Sequence, residues 1–418
     1  MEQLFITNVT IKKVRHLKDI MIPLSEKRIN HLILTGKNGS GKTSVLEALA
    51  VYLNSVFTDE YFKDREELLV WKENQKREAI RSGKREAEIL QLEKEVDKKA
   101  KELEQSRGGV ELTFNTEAED VFALREKYHY VLAYYKADRI FDAVQPKHVE
   151  KVQLKDNYGL AEFPRSQFVK YLLDLKMTEA LARNNKKREK ADEIRGWFEK
   201  LEQLLKEIFA DETVQLVFDE DTYEFHIMQR GKEPFDFNTL SGGYQAVLDV
   251  VLDIIMRMQN QTQRSFDFNL PGIVLIDEIE THLHLELQKH MMAFLTTVFP
   301  NIQFIVSSHS PFILNSLENA VIYDLENHVL VENGLEDVPY DGIVEGYFGA
   351  DRLSGTLREK FRRYEDLVKK EYLSDDEMSE IAELELYLDE IPDYLALDIA
   401  TEYQRLKLEF VNREDIDG

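Results

Sequence analysis

The sequence contains no cysteine. This absence excludes disulfide bonds, thiolate metal sites and a cysteine nucleophile, and it is compatible with the reducing cytoplasm. No uncharged apolar run reaches the about 18 residues of a membrane-spanning helix, and the N-terminal segment lacks the layout of a signal peptide. Positive charge is scarce as well, since 54 Lys and Arg face 79 Asp and Glu for a net charge of −25. We therefore expect a cytoplasmic protein with no membrane partner, in which any contact with nucleic acid needs a local basic patch.

The chain of 418 residues is long enough for a large core and for about two to three domains. Hydrophobic residues make up 43% of it, which is typical of a globular protein, and charged residues make up 32%, above the usual ~25%. Much of the charge lies in residues 59–109 and 163–211. We predict that both segments are helical insertions, the first as one long helix or a helical hairpin that ends at Gly108 and Gly109.

The segment GKNGSGKT at residues 36–43 matches the pattern G-x-x-x-x-G-K-[ST]. It lies between a short apolar stretch typical of a buried strand and a stretch with helical spacing of its apolar residues. In this context the glycines let successive backbone N–H groups point at phosphate oxygens, next to the positive end of a helix. We predict a phosphate loop in which Lys42 neutralises the β- and γ-phosphates of ATP and the Thr43 hydroxyl binds Mg²⁺. The candidate nucleotide ligands are Gly36, Asn38, Gly39, Ser40, Gly41, Lys42, Thr43 and Ser44.

A second glycine-rich segment, LSGGY at residues 240–244, precedes a stretch whose apolar residues form one helical face. Ser241 is a suitable N-cap, and Gly242 and Gly243 leave bare N–H groups at the start of the helix, so all three are candidate phosphate ligands. By itself the segment could be an ordinary helix cap. Its position downstream of the phosphate loop, just before two strand-like apolar runs, favours a functional role.

These two apolar runs end in polar residues suited to ATP chemistry. The run GIVLI is followed by Asp277 and Glu278, and the run IQFIV leads to the segment SSHSP, which contains His309. Because buried parallel strands deliver such residues to one edge of a sheet, we expect Asp277 to hold Mg²⁺, Glu278 to activate the attacking water and His309 to sense the γ-phosphate. A serine hydrolase built on Ser308 and His309 is disfavoured, since adjacent strand residues point to opposite faces.

Taken together, GKNGSGKT, LSGGY, IVLIDE and SSHSP resemble the motif set of ABC-type ATPase heads of the SMC and RecF class. The run DEIETHLH at residues 277–284 is similar to one in the OLD-like branch, and the set as a whole resembles OLD-like and Septu-type defence ATPases. The sequence departs from this pattern in three respects. Tyr244 stands where transporter signatures often have glutamine, and no Q-loop glutamine is recognisable. Residues after the head show no convincing TOPRIM-like acidic constellation, so we expect no OLD-type nuclease domain there.

The resemblance implies an α/β fold with a P-loop NTPase sheet, an antiparallel β subdomain, helical insertions and a helical C-terminal region. It also implies a head-to-head homodimer in which each ATP lies between the phosphate loop of one chain and the signature of the other, so that Ser241, Gly242 and Gly243 act in trans. Arg15 and His16, after the first strand, resemble a basic pair that approaches the nucleotide in such heads. The expected division is a head at 1–58, 110–162 and 212–346, helical insertions at 59–109 and 163–211, and an acidic helical region at 347–418.

We expect an enzyme that hydrolyses ATP to ADP and phosphate and uses the ATP-dependent dimer to control a separately encoded effector, a nuclease or toxin, in anti-phage defence. The defence role follows from the resemblance alone. The alternative is a DNA-repair or recombination ATPase that clamps DNA directly with its insertions. The basic segment RNNKKREK at residues 183–190 is the best candidate for such a contact, although a solvated surface is the simpler interpretation because acidic residues flank it.

Overall fold

The computed structural model describes residues 4–58, 62–116, 130–139, 142–146, 148–160, 162–240, 242–335, 338, 343, 355–370, 372–389 and 397–411. The chain divides into two units, Met1–Val338 and Pro339–Gly418. Ser241, one of the predicted nucleotide ligands, lies outside the described residues, as does the predicted domain boundary between residues 346 and 347.

One sheet of the N-terminal unit is antiparallel and has three strands in the order β2-β1-β4. These strands are β1 (Ile6–Val14), β2 (Leu17–Pro23) and β4 (Val110–Phe114). β1 and β2 form a hairpin in which Val14 pairs with Leu17 around a turn at Arg15 and His16. Arg15 has a φ of 52°, the left-handed conformation that tight hairpin turns require. This sheet is the antiparallel β subdomain that the family resemblance implies.

The central sheet has six strands, which are β3 (His31–Thr35), β5 (Val131–Tyr135), β8 (Gly272–Ile276), β9 (Ile302–Ser307), β10 (Ala320–Asp324) and β11 (Val329–Val331). Their order in the sheet is β11-β10-β3-β9-β8-β5. Every neighbouring pair is parallel except β10 with β11. β3, β8 and β9 are buried along their whole length, which explains why their sequences are nearly continuous apolar runs. This sheet confirms the predicted α/β class.

The first insertion is a helical hairpin rather than one long helix. Its helices are α2 (Phe62–Arg81) and α3 (Glu86–Arg107), and they follow α1 (Lys42–Thr58). Ion pairs cross between α2 and α3, as where the Lys72 ammonium lies 2.6 Å from a Glu95 oxygen. The chain then returns to the antiparallel sheet through Gly109, where an added Cβ would lie 2.1 Å from the carbonyl oxygen of Lys13. Only glycine fits this close approach of two backbones.

The second insertion has a core of its own. It consists of a 3-10 turn (Pro164–Gln167), α4 (Phe168–Asn184) and α5 (Arg188–Phe209). The side-chain oxygen of Gln259 accepts hydrogen bonds from the Tyr171 hydroxyl at 2.8 Å and from the Trp197 indole at 3.0 Å, so it ties both helices to the chain after α6. The remaining elements of this unit are β6 (Gln215–Phe218), β7 (Phe225–Met228), α6 (Gly242–Met258), α7 (Leu285–Val298) and α8 (Pro311–Leu314).

The C-terminal unit is helical, as the sequence predicts. Its helices are α9 (Gly355–Val368), α10 (Asp375–Asp389) and α11 (Leu397–Val411). They share a core that includes Tyr364, Leu367 and Leu406. Ser374 and Glu377 form a reciprocal capping box at the start of α10. Among the helices that the structure describes in either unit, none is long and apolar enough to cross a membrane.

Gln303 joins the three-stranded antiparallel sheet to the central sheet of the N-terminal unit. It lies on β9 and is fully buried. Its side-chain oxygen accepts a hydrogen bond from the Ile6 N–H at 2.7 Å, and its side-chain amide donates to the carbonyl oxygens of Ile6 at 3.0 Å and Asn30 at 2.8 Å. One side chain thus satisfies three buried backbone groups that neither sheet pairs.

We predict that Gln303→Met lowers the midpoint of thermal unfolding by several degrees. The substitution keeps most of the side-chain volume but leaves buried backbone groups without a partner, and each such group costs about 1–3 kcal/mol. Calorimetry or circular dichroism measures the effect. Gln91→Met, at an exposed position of α3, is the matched control and should leave the midpoint nearly unchanged. Equal midpoints for the two variants would contradict this role of Gln303.

Candidate functional site

The predicted phosphate loop begins at the end of β3 and ends at the start of α1. Gly36 and Gly41 have φ values of 129° and 103°, which favour glycine strongly. An added Cβ on Gly41 would lie 2.9 Å from Leu17 of the β1–β2 hairpin, so this hairpin presses against the loop. The sequence thus folds locally as the pattern predicts.

Lys42 is buried at the first position of α1 and is folded back over the loop. Its ammonium group donates hydrogen bonds to the carbonyl oxygens of Gly36 at 2.8 Å and Lys37 at 3.2 Å. Burial lowers the pKa of Lys42, and the nearby carboxylates of Glu278 and Glu280 oppose that shift. The ammonium group therefore faces an acidic cluster that comes from the next strands of the sheet.

Asp277 and Glu278 follow β8, and Ser307 at the end of the neighbouring strand β9 holds both. The Ser307 hydroxyl donates to an Asp277 carboxylate oxygen at 2.5 Å and accepts from the Glu278 N–H at 2.7 Å. Glu278 has a φ of 44°, and its carboxylate accepts a hydrogen bond from the Thr281 hydroxyl at 3.1 Å. The two predicted acidic residues are therefore fixed at the edge of the sheet where β3 also ends.

His309 lies in the loop after β9, beside Glu280. Its backbone N–H donates to a Glu280 carboxylate oxygen at 2.6 Å. Burial lowers the pKa of His309, and the nearby Lys42 lowers it further, while the carboxylates of Glu280 and Glu278 oppose this shift. Sequence reasoning missed Glu280, although the fourth residue of the DEIE run was a usable signal.

Arg139 is a buried residue of this site to which sequence analysis gave no role. It follows β5, the neighbour of β8, and its guanidinium donates to the carbonyl oxygens of three consecutive residues. These acceptors are Asp277 at 2.8 Å, Glu278 at 3.2 Å and Ile279 at 2.8 Å. Arg139 thus braces the backbone that carries the predicted base. Nothing local in the sequence indicates this contact, because it depends on how β5 pairs with β8.

Buried charges connect Arg139 to the helix that follows the LSGGY segment. Asp249 of α6 is fully buried and pairs with the guanidinium of Arg165. Burial raises the pKa of Asp249 to about 6, and the charges of Arg165 and Arg139 oppose this shift. The same charge of Asp249 stabilises the protonated form of Arg139. Any displacement of α6 therefore changes the electrostatic environment of Arg139.

A cavity of about 510 Å³ adjoins the phosphate loop. This volume is within the range of small-molecule sites, which is about 300–1,000 Å³. Its walls include the loop, the turn after β10 and His16 of the β1–β2 hairpin. The sequence predicts that Arg15 and His16 approach the nucleotide, and of these two His16 is among the residues that line the cavity. Lys37 of the loop pairs with Glu326 across this cavity, at a distance of 2.9 Å.

The signature glycines lie at the start of α6. Gly242 is exposed, whereas an added Cβ on Gly243 would lie 3.0 Å from the carbonyl oxygen of His282. Within the described part of the chain, no hydrogen bond joins Gly242, Gly243 or Tyr244 to the phosphate loop. No group of three or more His, Asp or Glu residues suited to hold a metal by itself occurs among the described residues.

Buried polar atoms without a hydrogen-bond partner among the described residues are present in all parts of this site. They include the Ser40 hydroxyl in the loop, the Tyr134 hydroxyl on β5, one oxygen of Glu280 and the Nε2 atom of His309. Such atoms are rare in folded proteins and call for a ligand or solvent partner. The arrangement fits a triphosphate, which brings many acceptor oxygens. The hydroxyl of Thr43 and the carboxylate of Asp277 are the hard oxygen donors that Mg²⁺ prefers.

The sequence profile of the AAA ATPase domain family matches residues 4–314. The chain belongs to this family. Membership of this family implies nucleotide binding and confirms the prediction of an ATPase. The match begins just before β1 and ends in α8, so it contains every predicted site residue.

Curated relatives include proteins of two named systems. The chain is 34% identical over 137 residues to the Septu protein PtuA of Bacillus mycoides (strain KBAB4), a stretch that covers 32% of this chain and 18% of the relative. It is 40% identical over 98 residues to the Retron Vc95 probable ATPase of Vibrio cholerae serotype O1 biovar El Tor, covering 23% and 19%. These alignments span about a fifth of each relative's length. They confirm the resemblance to the Septu-type group.

Solved structures similar to this chain include SMC heads. The SmcHead bound to the C-winged helix domain of ScpA is matched with a TM-score of 0.38 and 14% identity, over 80% of this chain and 98% of that one. The SMC head domain from Thermotoga maritima is matched with a TM-score of 0.34 and 12% identity, over 78% and 97%.

We predict that Arg139→Lys lowers kcat for ATP hydrolysis about tenfold or more and changes the KM for ATP little. Lysine keeps the charge but cannot reach three carbonyl oxygens at once, so the base is misplaced, and small misplacements of reacting groups reduce rates strongly. Steady-state kinetics measure the split. Arg77→Lys on the exposed face of α2 is the matched control. A raised KM with an unchanged kcat would show instead that Arg139 acts on nucleotide binding.

Proposed function

We propose that the protein binds ATP with Mg²⁺ at the phosphate loop and hydrolyses it to ADP and phosphate. The observation that carries this proposal is the position of the Lys42 ammonium, which lies in the loop and faces the acids that follow β8. Supporting evidence comes from membership of the AAA ATPase domain family. The residues proposed to contact the nucleotide on this side are Gly36, Asn38, Gly39, Ser40, Gly41, Lys42, Thr43 and Ser44.

Each side chain has a defined task in this proposal. Lys42 exchanges its hydrogen bonds to loop carbonyls for bonds to the β- and γ-phosphate oxygens. Glu278 accepts the proton of the attacking water, and an imidazole N–H of His309 donates a hydrogen bond to a γ-phosphate oxygen. Thr43 and Asp277 would hold Mg²⁺, which would supply positive charge against the phosphates. Arg139 and Ser307 position the base without touching the substrate.

We also propose that the complete site forms between two copies of the chain. Gly242 is exposed at the start of α6 and has no hydrogen bond to the phosphate loop of its own chain within the described residues. A helix N-terminus with free N–H groups is suited to the γ-phosphate of an ATP held by a second copy. Ser241, Gly242 and Gly243 then act in trans. The buried pair of Asp249 and Arg165 provides a route from this contact to Arg139.

The downstream task that we propose is control of a separately encoded effector, a nuclease or toxin, in anti-phage defence. Similarity to Septu protein PtuA and to retron ATPases supports this role. The alternative is a DNA-repair ATPase that clamps DNA. The observation in its favour is the turn between α4 and α5, where Lys186, Lys187 and Arg188 form no ion pair with any described residue.

We predict that Glu278→Gln retains ATP, hydrolyses it at least about a hundredfold more slowly and accumulates as a dimer. The amide cannot accept the proton of water, whereas the phosphate loop is unchanged. Phosphate release and light scattering with and without ATP measure the two effects. Lys42→Ala is the control, since it should weaken nucleotide binding and remain monomeric with ATP. Turnover at the wild-type rate in Glu278→Gln would contradict the assignment of the base.

We predict that the full chain co-purifies with the protein encoded by the adjacent open reading frame when the two are expressed together, and that ATP changes the amount retained. The Lys42→Ala variant should abolish this dependence on ATP. A chain that purifies alone and binds duplex DNA with the salt dependence of phosphate contacts would instead favour the DNA clamp.

A further inference from the structure

A second cavity, of about 920 Å³, lies in the helical insertion and shares no wall with the phosphate-loop cavity. Its walls come from α4, α5, Lys151 and residues 262–266, which follow α6. The volume is at the upper end of the range for small-molecule sites. Neither the ATP chemistry nor the proposed dimer uses it.

The charge of this cavity is opposite to that of the chain. Four of the side chains that line it are basic and one, Glu193, is acidic, although the chain as a whole has a net charge of −25. Arg264 is paired with Asp174 at 2.9 Å. The other three basic side chains form no ion pair with any described residue, and they are Lys151, Lys190 and Lys200. A concave surface with uncompensated cations attracts anions.

One wall of the cavity is aromatic and rigid. Trp197 is 2% exposed, and its ring meets that of Phe266 edge to face at 5.3 Å. Its indole N–H is bonded to Gln259, so the ring cannot turn without breaking a buried hydrogen bond. Phe266 is only partly buried and presents ring surface to the cavity. An apolar ring surface close to free ammonium groups suits a ligand that has both an aromatic base and a phosphate.

The turn that closes the cavity holds an unfavourable backbone conformation. Gln263 and Arg264 both have positive φ values, 54° and 63°. Consecutive left-handed residues other than glycine are uncommon and persist only where surrounding contacts impose them. Here the Arg264 N–H donates to the Gln259 carbonyl oxygen at 2.7 Å, and its guanidinium donates to Asp174 and to the carbonyl oxygen of Val152. The strained turn is thus built into the wall of the cavity.

The basic segment singled out in the sequence ends at the wall of this cavity. Lys186 and Lys187 precede α5, Arg188 is its first residue, and Lys190, on its first turn, lines the cavity. Consecutive positive groups along one helix end are the arrangement that follows a phosphate backbone.

From these features we propose that the cavity binds one nucleotide unit that carries a phosphate, with its base against Phe266 and its phosphate at the lysines of the α5 wall, Lys190 and Lys200. The nucleotide comes either as a free mononucleotide or as the end of a single strand whose next phosphates meet the α4–α5 turn. This site is separate from the ATP site and does not depend on ATP hydrolysis.

Binding of thymidine 5′-monophosphate and of a labelled, 5′-phosphorylated oligo(dT) to the full chain tests the proposal. Neither probe has the β- and γ-phosphates that the phosphate loop holds. We expect Lys190→Gln/Lys200→Gln to weaken binding about tenfold and to reduce the salt slope of oligonucleotide binding by about 1–2. Phe266→Leu should weaken it about tenfold through lost stacking. The control Lys94→Gln/Lys98→Gln makes the same charge change on exposed positions of α3 and should bind as wild type.

Binding of the mononucleotide identifies a free nucleotide as ligand, and binding of the oligonucleotide alone identifies a strand end; both support the site. If neither probe binds, the proposal is overturned. Equal loss in the two double variants overturns it as well, and so does equal affinity for a closed circular duplex, which has no end to enter the cavity. ATP turnover of the Lys190→Gln/Lys200→Gln variant should match wild type and shows that the chain is folded. If the wild-type protein has no ATPase activity but binds these probes, the ATPase proposal fails and this one stands.

Discussion

The parallel pairing of β3, β9 and β8 is the constraint on which the rest of the site depends. These strands are neighbours in the sheet but far apart in the sequence, and all of them end at the same edge. The phosphate loop, the acids after β8 and the His309 loop therefore start side by side. Ser307 fixes the register at this edge, because its single hydroxyl binds both Asp277 and the backbone of Glu278. A shift of β9 by one residue would remove this hydroxyl from both partners.

The chain is acidic overall, and the candidate ATP site combines acidic and basic groups. At the sheet edge, Asp277, Glu278 and Glu280 face one lysine, Lys42, while the Arg139 guanidinium binds the carbonyl groups of the same loop. Buried charges of this kind are stable only when they are paired or hydrogen-bonded. The arrangement leaves donors and acceptors free in the middle of the site, which is where a triphosphate would meet them.

Different interactions stabilise the two helical insertions. The α2–α3 hairpin has few buried residues, and its helices are joined by partly exposed ion pairs such as that of Lys72 with Glu95, each of which contributes little stability. The α4–α5 insertion instead packs Tyr171 and Trp197 around a buried glutamine. A rigid aromatic core makes it possible to keep a large cavity open beside it, and the hairpin has no such core. The α2–α3 hairpin is therefore suited to reach outward, and the α4–α5 insertion is suited to hold a ligand.

Local patterns in the sequence determined the elements: the phosphate loop at residues 36–43, the acids after an apolar run, the hairpin ended by glycine and the helical C-terminal unit. Each of these depends on residues close in the chain, so spacing and residue type are enough to predict them. The roles of the individual site residues stay predictions. The tertiary structure alone decided that Arg139 braces Glu278 and that Gln303 joins two sheets. Contacts of this kind join residues more than a hundred positions apart, and no local pattern encodes them.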